Sequence, residues 1–154
     1  VAGMLAEAGC AVRATTQGVA LAGRATRPVV ADLRDTPDLF PALAVVVAVV
    51  GGRLTGLGGL ATKESDRLEV MIAHLKSLGF RVAVENGALT SRGGLSGLAA
   101  PADALAPAGD HRVAMALAVA GTVVPGVLVA DPECVAKSWP GFWARWDELV
   151  GVAP

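Results

Sequence analysis

The chain has 154 residues, 53% of them hydrophobic, and a formal net charge of −1. That length supplies one ordinary domain, or a large part of a bigger one, with a sizeable core; with 4% aromatics and no Tyr, the core must be built mostly of Val, Leu and Ala. The balanced charge speaks against a general binder of nucleic acid or of membrane surfaces, which needs a basic excess.

In chain order, residues 1–9 read as the end of a helix. Val1 rather than Met opens the chain inside that helix, so we read it as a fragment of a longer polypeptide. No basic segment followed by an apolar run and a cleavage site marks a signal peptide. Residues 37–50 read as a helix, with Thr36 as N-cap, Pro37 at the first helical position and Gly51-Gly52 as the stop. Residues 53–57 read as a strand. Residues 64–78 form an amphipathic pattern with Leu68, Met71, Ile72 and Leu75 on one face, closed by Gly79. Residues 80–84 and 88–91 then pair as a hairpin around Asn86-Gly87, a strong turn dipeptide. Residues 93–109 are rich in Gly, Ala and Pro and read as mixed strand and loop. A helix over 111–120 follows, capped by Asp110, then a strand near 127–129 and a last helix over 140–150. Trp139, Phe142, Trp143 and Trp146 read as the packed face of that last helix. The uncharged run 113–130 is long enough to imitate a membrane span, but Gly121, Pro125 and Gly126 break it into helix, turn and strand.

The chain also resembles itself. Lys63 and Lys137 share the spacing of Leu43 and Leu117, which lie in the similar runs Ala42-Leu43-Ala44-Val45 and Ala116-Leu117-Ala118-Val119. At that offset Asp38 falls opposite Arg112. A second echo joins Leu5…Gly9-Cys10-Ala11-Val12 to Leu75…Gly79-Phe80-Arg81-Val82. A period this long points to repeated supersecondary units rather than a short-repeat solenoid. The expected order is helix, strand, helix, strand, strand, repeated, which is α/β with sheets covered by helices.

Cys10 and Cys134 are too few for a disulfide framework, and we read them as reduced thiols of a cytoplasmic protein. His74 and His111 are far apart in sequence and offer no zinc spacing. The cations are more informative. Lys63, Arg67, Arg112 and Lys137 lie in segments expected to open helices, where the helix carries partial positive charge and unpaired N–H groups. Glu64, Asp66 and Asp110 offset part of that cost, and a bound polyanion would reverse its sign. The pattern suggests a cleft for phosphate and carboxylate groups built from helix N-termini. Taken singly, these residues read equally well as ordinary surface cations, and Asp38 as a first-turn carboxylate complementing a helix dipole.

Four segments carry a resemblance: Asp35-Thr36-Pro37-Asp38, Lys63-Glu64-Ser65-Asp66-Arg67-Leu68, Asp110-His111-Arg112-Val113-Ala114-Met115-Ala116, and the run from Asp131-Pro132-Glu133 through Lys137-Ser138-Trp139-Pro140. In this order and spacing the chain resembles the carboxy-terminal domain of the 5-enolpyruvylshikimate-3-phosphate synthase family. The resemblance implies an inside-out α/β barrel of repeated βαβαββ units, three to a domain. About two of the three would lie here: the end of one over 1–32, a second over 33–92 and a third over 93–154. The amino-terminal domain of the two-domain enzyme, with its share of the shikimate site, would be absent and would act as this chain's partner.

The activity implied is transfer of the enolpyruvyl group from phosphoenolpyruvate to the 5-hydroxyl of shikimate 3-phosphate, releasing phosphate on the route to chorismate and the aromatic amino acids. That chemistry requires no metal and no organic cofactor. It needs a cage for several anionic groups and acid–base groups at both reacting centres. By the resemblance, Arg67, Arg112 and Lys137 bind phosphoenolpyruvate. Asp38 and Lys63 bind shikimate 3-phosphate, Asp38 as the acceptor or base for its 5-hydroxyl and Lys63 on the 5-oxygen. Glu64 moves the methylene proton, and His111 assists the leaving phosphate. Asp66 orients neighbouring cations; His74, Cys10 and Cys134 read as surface or core residues. No nucleic acid and no membrane is an expected partner.

Two departures stand out. Family members commonly carry Asn where this chain has Gly59, and Arg-Val where it has Ala61-Thr62. Two other functions share these features: the sibling transfer of the same group to UDP-N-acetylglucosamine, and a non-catalytic anion-binding domain derived from the family. The Lys-Glu-Ser-Asp-Arg and Asp-His-Arg segments favour the shikimate reaction over the first. Joint retention of Asp38, Lys63, Glu64, Arg67, Arg112 and Lys137 argues against the second.

Overall fold

A computed structural model describes residues 1–61 and 63–151. In chain order it contains α1 (Ala2–Glu7), β1 (Ala11–Thr15), β2 (Gly18–Ala22), β3 (Val29–Asp32), a 3-10 turn at Pro37–Leu39, α2 (Phe40–Val50), β4 (Gly52–Thr55), α3 (Arg67–Ser77), β5 (Val82–Glu85), β6 (Ala88–Ser91), α4 (His111–Gly121), a 3-10 helix at Pro132–Lys137 and α5 (Phe142–Val150). The run β3-α2-β4-α3-β5-β6 is one βαβαββ unit. Its four strands form a sheet in the order β3-β4-β6-β5. β3 and β4 run parallel, and β4–β6 and β6–β5 run antiparallel. β3 precedes the boundary expected at residue 33, yet it hydrogen-bonds to β4 and belongs to the same sheet.

α2 is apolar on every side, and such a helix belongs inside a core. Its valines are poor helix formers, because a β-branched side chain loses freedom against the preceding turn. Burial overrides that preference: Phe40, Leu43, Val45 and Val47 are buried, and α2 packs on α4, α3, β4 and β6. The helix expected over 37–50 begins as a 3-10 turn, with no side-chain cap from Thr36. Pro41 has no N–H to give the Pro37 carbonyl, so the Phe40 N–H takes that carbonyl one residue earlier.

α3 opens at Arg67 rather than at Glu64, because Asp66 is the cap: its carboxylate accepts the Glu69 N–H at 3.0 Å. Lys63 and Glu64 therefore lie in the loop ahead of the helix. On the predicted face Met71 and Leu75 are fully buried and Leu68 and Ile72 half-buried. The hairpin forms at Asn86-Gly87, both with positive φ. The strand expected at 127–129 is reduced to one parallel bridge, Leu105 to Val129. Beyond Ala130 the next two rungs would need the N–H groups of Pro107 and Pro132, which have none, so the ladder stops there. That bridge flanks α4 as β3 and β4 flank α2. At the other end, α1, Gly9 and the β1–β2 hairpin follow one another as α3, Gly79 and β5–β6 do, which accounts for the second echo. Phe142 anchors a separate small core with Ala114, Ala118 and Val135, stacked on Trp146 and edge-on to Trp139 and Trp143. No helix among the described residues is long and apolar enough to cross a membrane.

Gly51-Gly52 does more than stop α2. At Gly52 φ is 146°, and a Cβ there would overlap the Val29 carbonyl of the paired strand. Gly52→Ala should therefore cost more than about 1 kcal/mol of folding stability. The urea midpoint reads this directly, and an unshifted midpoint would mean that β3 and β4 do not need this approach.

Candidate active site

Three separate stretches converge on Arg67, whose side chain is 0% exposed. Its Nε donates to Asp110 Oδ2 at 2.8 Å, Nη1 to Asp38 Oδ1 at 2.9 Å and Nη2 to Glu64 Oε2 at 2.6 Å. The three carboxylates differ. Asp110 is 0% exposed, whereas Asp38 and Glu64 are 47% and 40% exposed and form an open rim. A buried guanidinium survives only with full pairing. Burial pushes the Arg67 pKa down, but the bonds from Asp110 and Asp38 outweigh it and leave the group more firmly charged than usual.

Asp38 joins the cations to one another. Besides Arg67, its Oδ1 lies 3.9 Å from Lys63 Nζ, and its Oδ2 lies 3.0 Å from Arg112 Nη2. The Arg67 hydrogen bond lowers its pKa first; partial burial opposes this, and Arg112 and Lys63 add to the lowering. Position explains the convergence. Asp38 sits in the 3-10 turn that opens α2, Arg67 opens α3, and Arg112 lies in the first turn of α4, while α2 packs on both other helices.

Asp110 holds two elements together. Its Oδ1 caps α4 by accepting the Arg112 and Val113 N–H groups at 2.9 and 3.4 Å, while its Oδ2 takes Arg67 and, at 3.4 Å, the Ser65 hydroxyl. Burial raises the pKa of Asp110, but the Arg67 bond and the backbone donors prevail and keep it below the carboxylate norm. His111 is buried beside it, and burial, then Arg112, then Lys137 lower its pKa, so it is neutral at pH 7. His111 Nδ1 and Arg112 Nε are buried without a partner among the described residues. Lys137 Nζ donates to the Gly109 carbonyl at 3.0 Å.

The structure thus gathers Asp38, Lys63, Glu64, Arg67, His111, Arg112 and Lys137 around one centre. It corrects the expectation about helix starts. Only Arg67 and Arg112 occupy first turns; Lys63 is in a loop, and Lys137 closes a 3-10 helix instead of opening one. Their charges are balanced chiefly by side-chain carboxylates. Asp66 is spent on its own cap. Sequence reasoning gave Asp110 the cap but missed its pairing with Arg67, and it missed Ser65 and the Gly109 carbonyl; none of these has a local signature. Among the described residues nothing lies within 4 Å of where a Gly59 side chain would begin. Of the departure at Ala61-Thr62, Thr62 lies outside the described residues.

Two outcomes follow from this geometry. Asp110→Ala strands a buried guanidinium and should cost about 3–5 kcal/mol, seen as a large drop in the denaturant midpoint; a loss confined to that of an ordinary cap would contradict the pairing. The second concerns pH. His111, Asp38 and Asp110 all have lowered pKa values, so the unfolded chain binds more protons than the folded one as pH falls, and stability is lost in that direction. The loss begins below about pH 6.5 for His111 and below about pH 4 for the carboxylates. Urea midpoints between pH 8 and pH 3 should show both stages, with the upper one absent from His111→Gln; an upper stage that persists in that variant would refute its assignment.

Comparison with known proteins bears on the whole arrangement. The family model for EPSP synthase (3-phosphoshikimate 1-carboxyvinyltransferase) matches residues 1–146. The 3-phosphoshikimate 1-carboxyvinyltransferase of Syntrophobacter fumaroxidans is 40% identical over 150 residues, covering 96% of this chain and 35% of the relative. That of Methanoculleus marisnigri is 40% identical over 139 residues, covering 88% of this chain and 32% of the relative. The chain therefore spans about a third of the length of the curated relatives it matches. A solved EPSP synthase from Acinetobacter baumannii superposes with a TM-score of 0.67 at 27% identity, over 96% of this chain and 37% of that one. The fold is thus the α/β enolpyruvyl transferase fold expected from the motifs, and the chain belongs to the EPSP synthase (3-phosphoshikimate 1-carboxyvinyltransferase) family.

Proposed function

We propose that this chain is one wall of a two-domain enolpyruvyl transferase, part of its carboxy-terminal domain, and that the complete enzyme moves the enolpyruvyl group of phosphoenolpyruvate to the 5-hydroxyl of shikimate 3-phosphate. It would work in the cytoplasm, on the way to chorismate. The observation that carries this reading is Asp38: one open carboxylate within reach of Lys63, Arg67 and Arg112. Such a group can take a proton from a hydroxyl while the cations around it hold anions.

In this reading Arg67 keeps Asp110 on Nε and turns Nη1 and Nη2 to the phosphoenolpyruvate carboxylate in place of the exposed Asp38 and Glu64. Arg112 and Lys137 hold the remaining anionic oxygens. Asp38, released from Arg67, accepts the proton of the 5-hydroxyl as that oxygen bonds to the enol carbon, with Lys63 against the oxygen. Glu64, also released, takes up a proton from water, gives it to the methylene carbon and recovers one from the new methyl group as the carbon–oxygen bond to phosphate breaks, and the proton that Asp38 took from the hydroxyl leaves with the phosphate. His111, neutral and with Nδ1 unpartnered, faces the departing phosphate. Gly59 has no side chain to offer the shikimate ring, so that part of the ring would be held by other residues.

The test is phosphate release from phosphoenolpyruvate by the complete polypeptide, with shikimate 3-phosphate or UDP-N-acetylglucosamine as acceptor. Release is expected only with shikimate 3-phosphate, and the 154-residue chain alone should release none. Lys137→Ala should raise the KM for phosphoenolpyruvate on the order of tenfold or more, as expected for a charged hydrogen bond, and leave that for shikimate 3-phosphate little changed. Release only with the sugar moves the protein to the sibling reaction. No release with either acceptor favours a domain that kept the cage and lost the chemistry.

A further inference from the structure

Three of the four site cations already hold a carboxylate, since Lys63, Arg67 and Arg112 all pair with Asp38. Lys137 makes no ion pair among the described residues; its ammonium rests on the Gly109 carbonyl at 3.0 Å. An uncommon backbone aims that carbonyl. Ala108 has φ 53° and Gly109 φ 71°, and the Asp110 N–H donates to the Pro107 carbonyl at 3.0 Å. Two successive left-handed residues inside such a bond are the signature of a type I′ turn, whose first central position is usually Asn, Asp or Gly. Ala there is disfavoured, and it persists because the turn is held from both sides. His74 Nε2 of α3 donates to the Ala106 carbonyl at 2.8 Å, and the Asp110 carboxylate is locked by Arg67. Strained residues fixed by their surroundings gather at working sites.

We propose that the 107–110 turn is a positioning device for Lys137: Ala108 and Gly109 hold a neutral acceptor in place, and His74 braces it, so that the ammonium is parked at the site without being neutralised. An arriving anion meets that charge directly, whereas at Arg67 it must first displace Asp38 and Glu64, and at Arg112 it shares the guanidinium with Asp38. This rests on the reading of Lys137 as a phosphoenolpyruvate ligand. Ala108, Gly109 and His74 are positioning residues; none of them is assigned a contact with substrate.

The first measurement is the rate at which an amine-acylating reagent modifies Lys137 in the 154-residue chain, followed by mass spectrometry with Lys63 as internal reference. Ala108→Val, which disfavours the left-handed conformation, and His74→Ala, which removes the brace, should each speed modification of Lys137 about three- to tenfold, the worth of one hydrogen bond. Ala108→Asn, which suits a type I′ turn, should keep the original rate. Where Ala108→Val fails to fold, His74→Ala, at a half-buried position, carries the test. An unchanged Lys137 rate in the folded variants overturns the proposal. The second measurement is phosphoenolpyruvate affinity of the complete polypeptide. The same two variants should weaken it, and the weakening should vanish in a Lys137→Met background; a weakening that persists there means that the turn acts through something else, and the proposal falls. If the complete polypeptide binds no phosphoenolpyruvate at all, the reading of function fails, while the modification rates still decide whether the turn positions Lys137.

Discussion

A guanidinium withdrawn from water must find acceptors for its charge or the surrounding fold cannot close on it. Arg67 meets that requirement with carboxylates from three stretches of chain: the turn that opens α2, the loop ahead of α3 and the cap of α4. The packing of α2 against α3 and α4 and the pairing of Arg67 are therefore one constraint seen twice. The apolar faces bring the helix starts together, and the ion cluster fixes how they meet. With Asp110 fully buried and the other two carboxylates open, the cluster has a permanent side and an exchangeable side.

That asymmetry links stability to the proposed chemistry. The buried half, Asp110 with Arg67, the α4 N–H groups and Ser65, sets the aim of the guanidinium and of the helix start that carries His111 and Arg112. The open half, Asp38 and Glu64, stands in the proposed reading where a ligand carboxylate would bind, and the two carboxylates offset part of the positive charge there. In the proposed function, a group that stands in for the ligand and then becomes free to move a proton would serve two ends with one side chain. His111 follows a different logic. Burial and two neighbouring cations keep it neutral, which leaves its Nδ1 able to give or accept a hydrogen bond without adding charge to a site already rich in cations.

The fold supplies the frame at modest expense. Where β3 and β4 flank α2 with a four-residue parallel ladder, only the bridge of Leu105 to Val129 flanks α4. α4 is nonetheless held at both faces, by α2 in the main core and by the Phe142 cluster on the other side. Side-chain packing thus does for α4 what backbone pairing does for α2.

What the sequence determined by itself was local. Hydrophobic periodicity marked α3, the Asn86-Gly87 dipeptide marked the hairpin, and Asp110 announced α4, because caps, turns and periodic faces are set by residues a few positions apart. The four segments carried the family and the identity of the charged residues. The exact start of α3 was less legible, since Lys63-Glu64-Ser65-Asp66 offers several capping candidates and only the bond to the Glu69 N–H selects Asp66. The β1–β2 hairpin escaped notice because its residues are mostly exposed and carry little pattern, and β3 because it is four residues long with an apolar Val30 on its outer face. Tertiary structure alone decided that Arg67 meets Asp38 from 29 residues away and Asp110 from 43, and that Lys137 rests on a backbone carbonyl. Those pairings depend on helix packing and backbone direction, and neither leaves a mark on the spacing of residues along the chain.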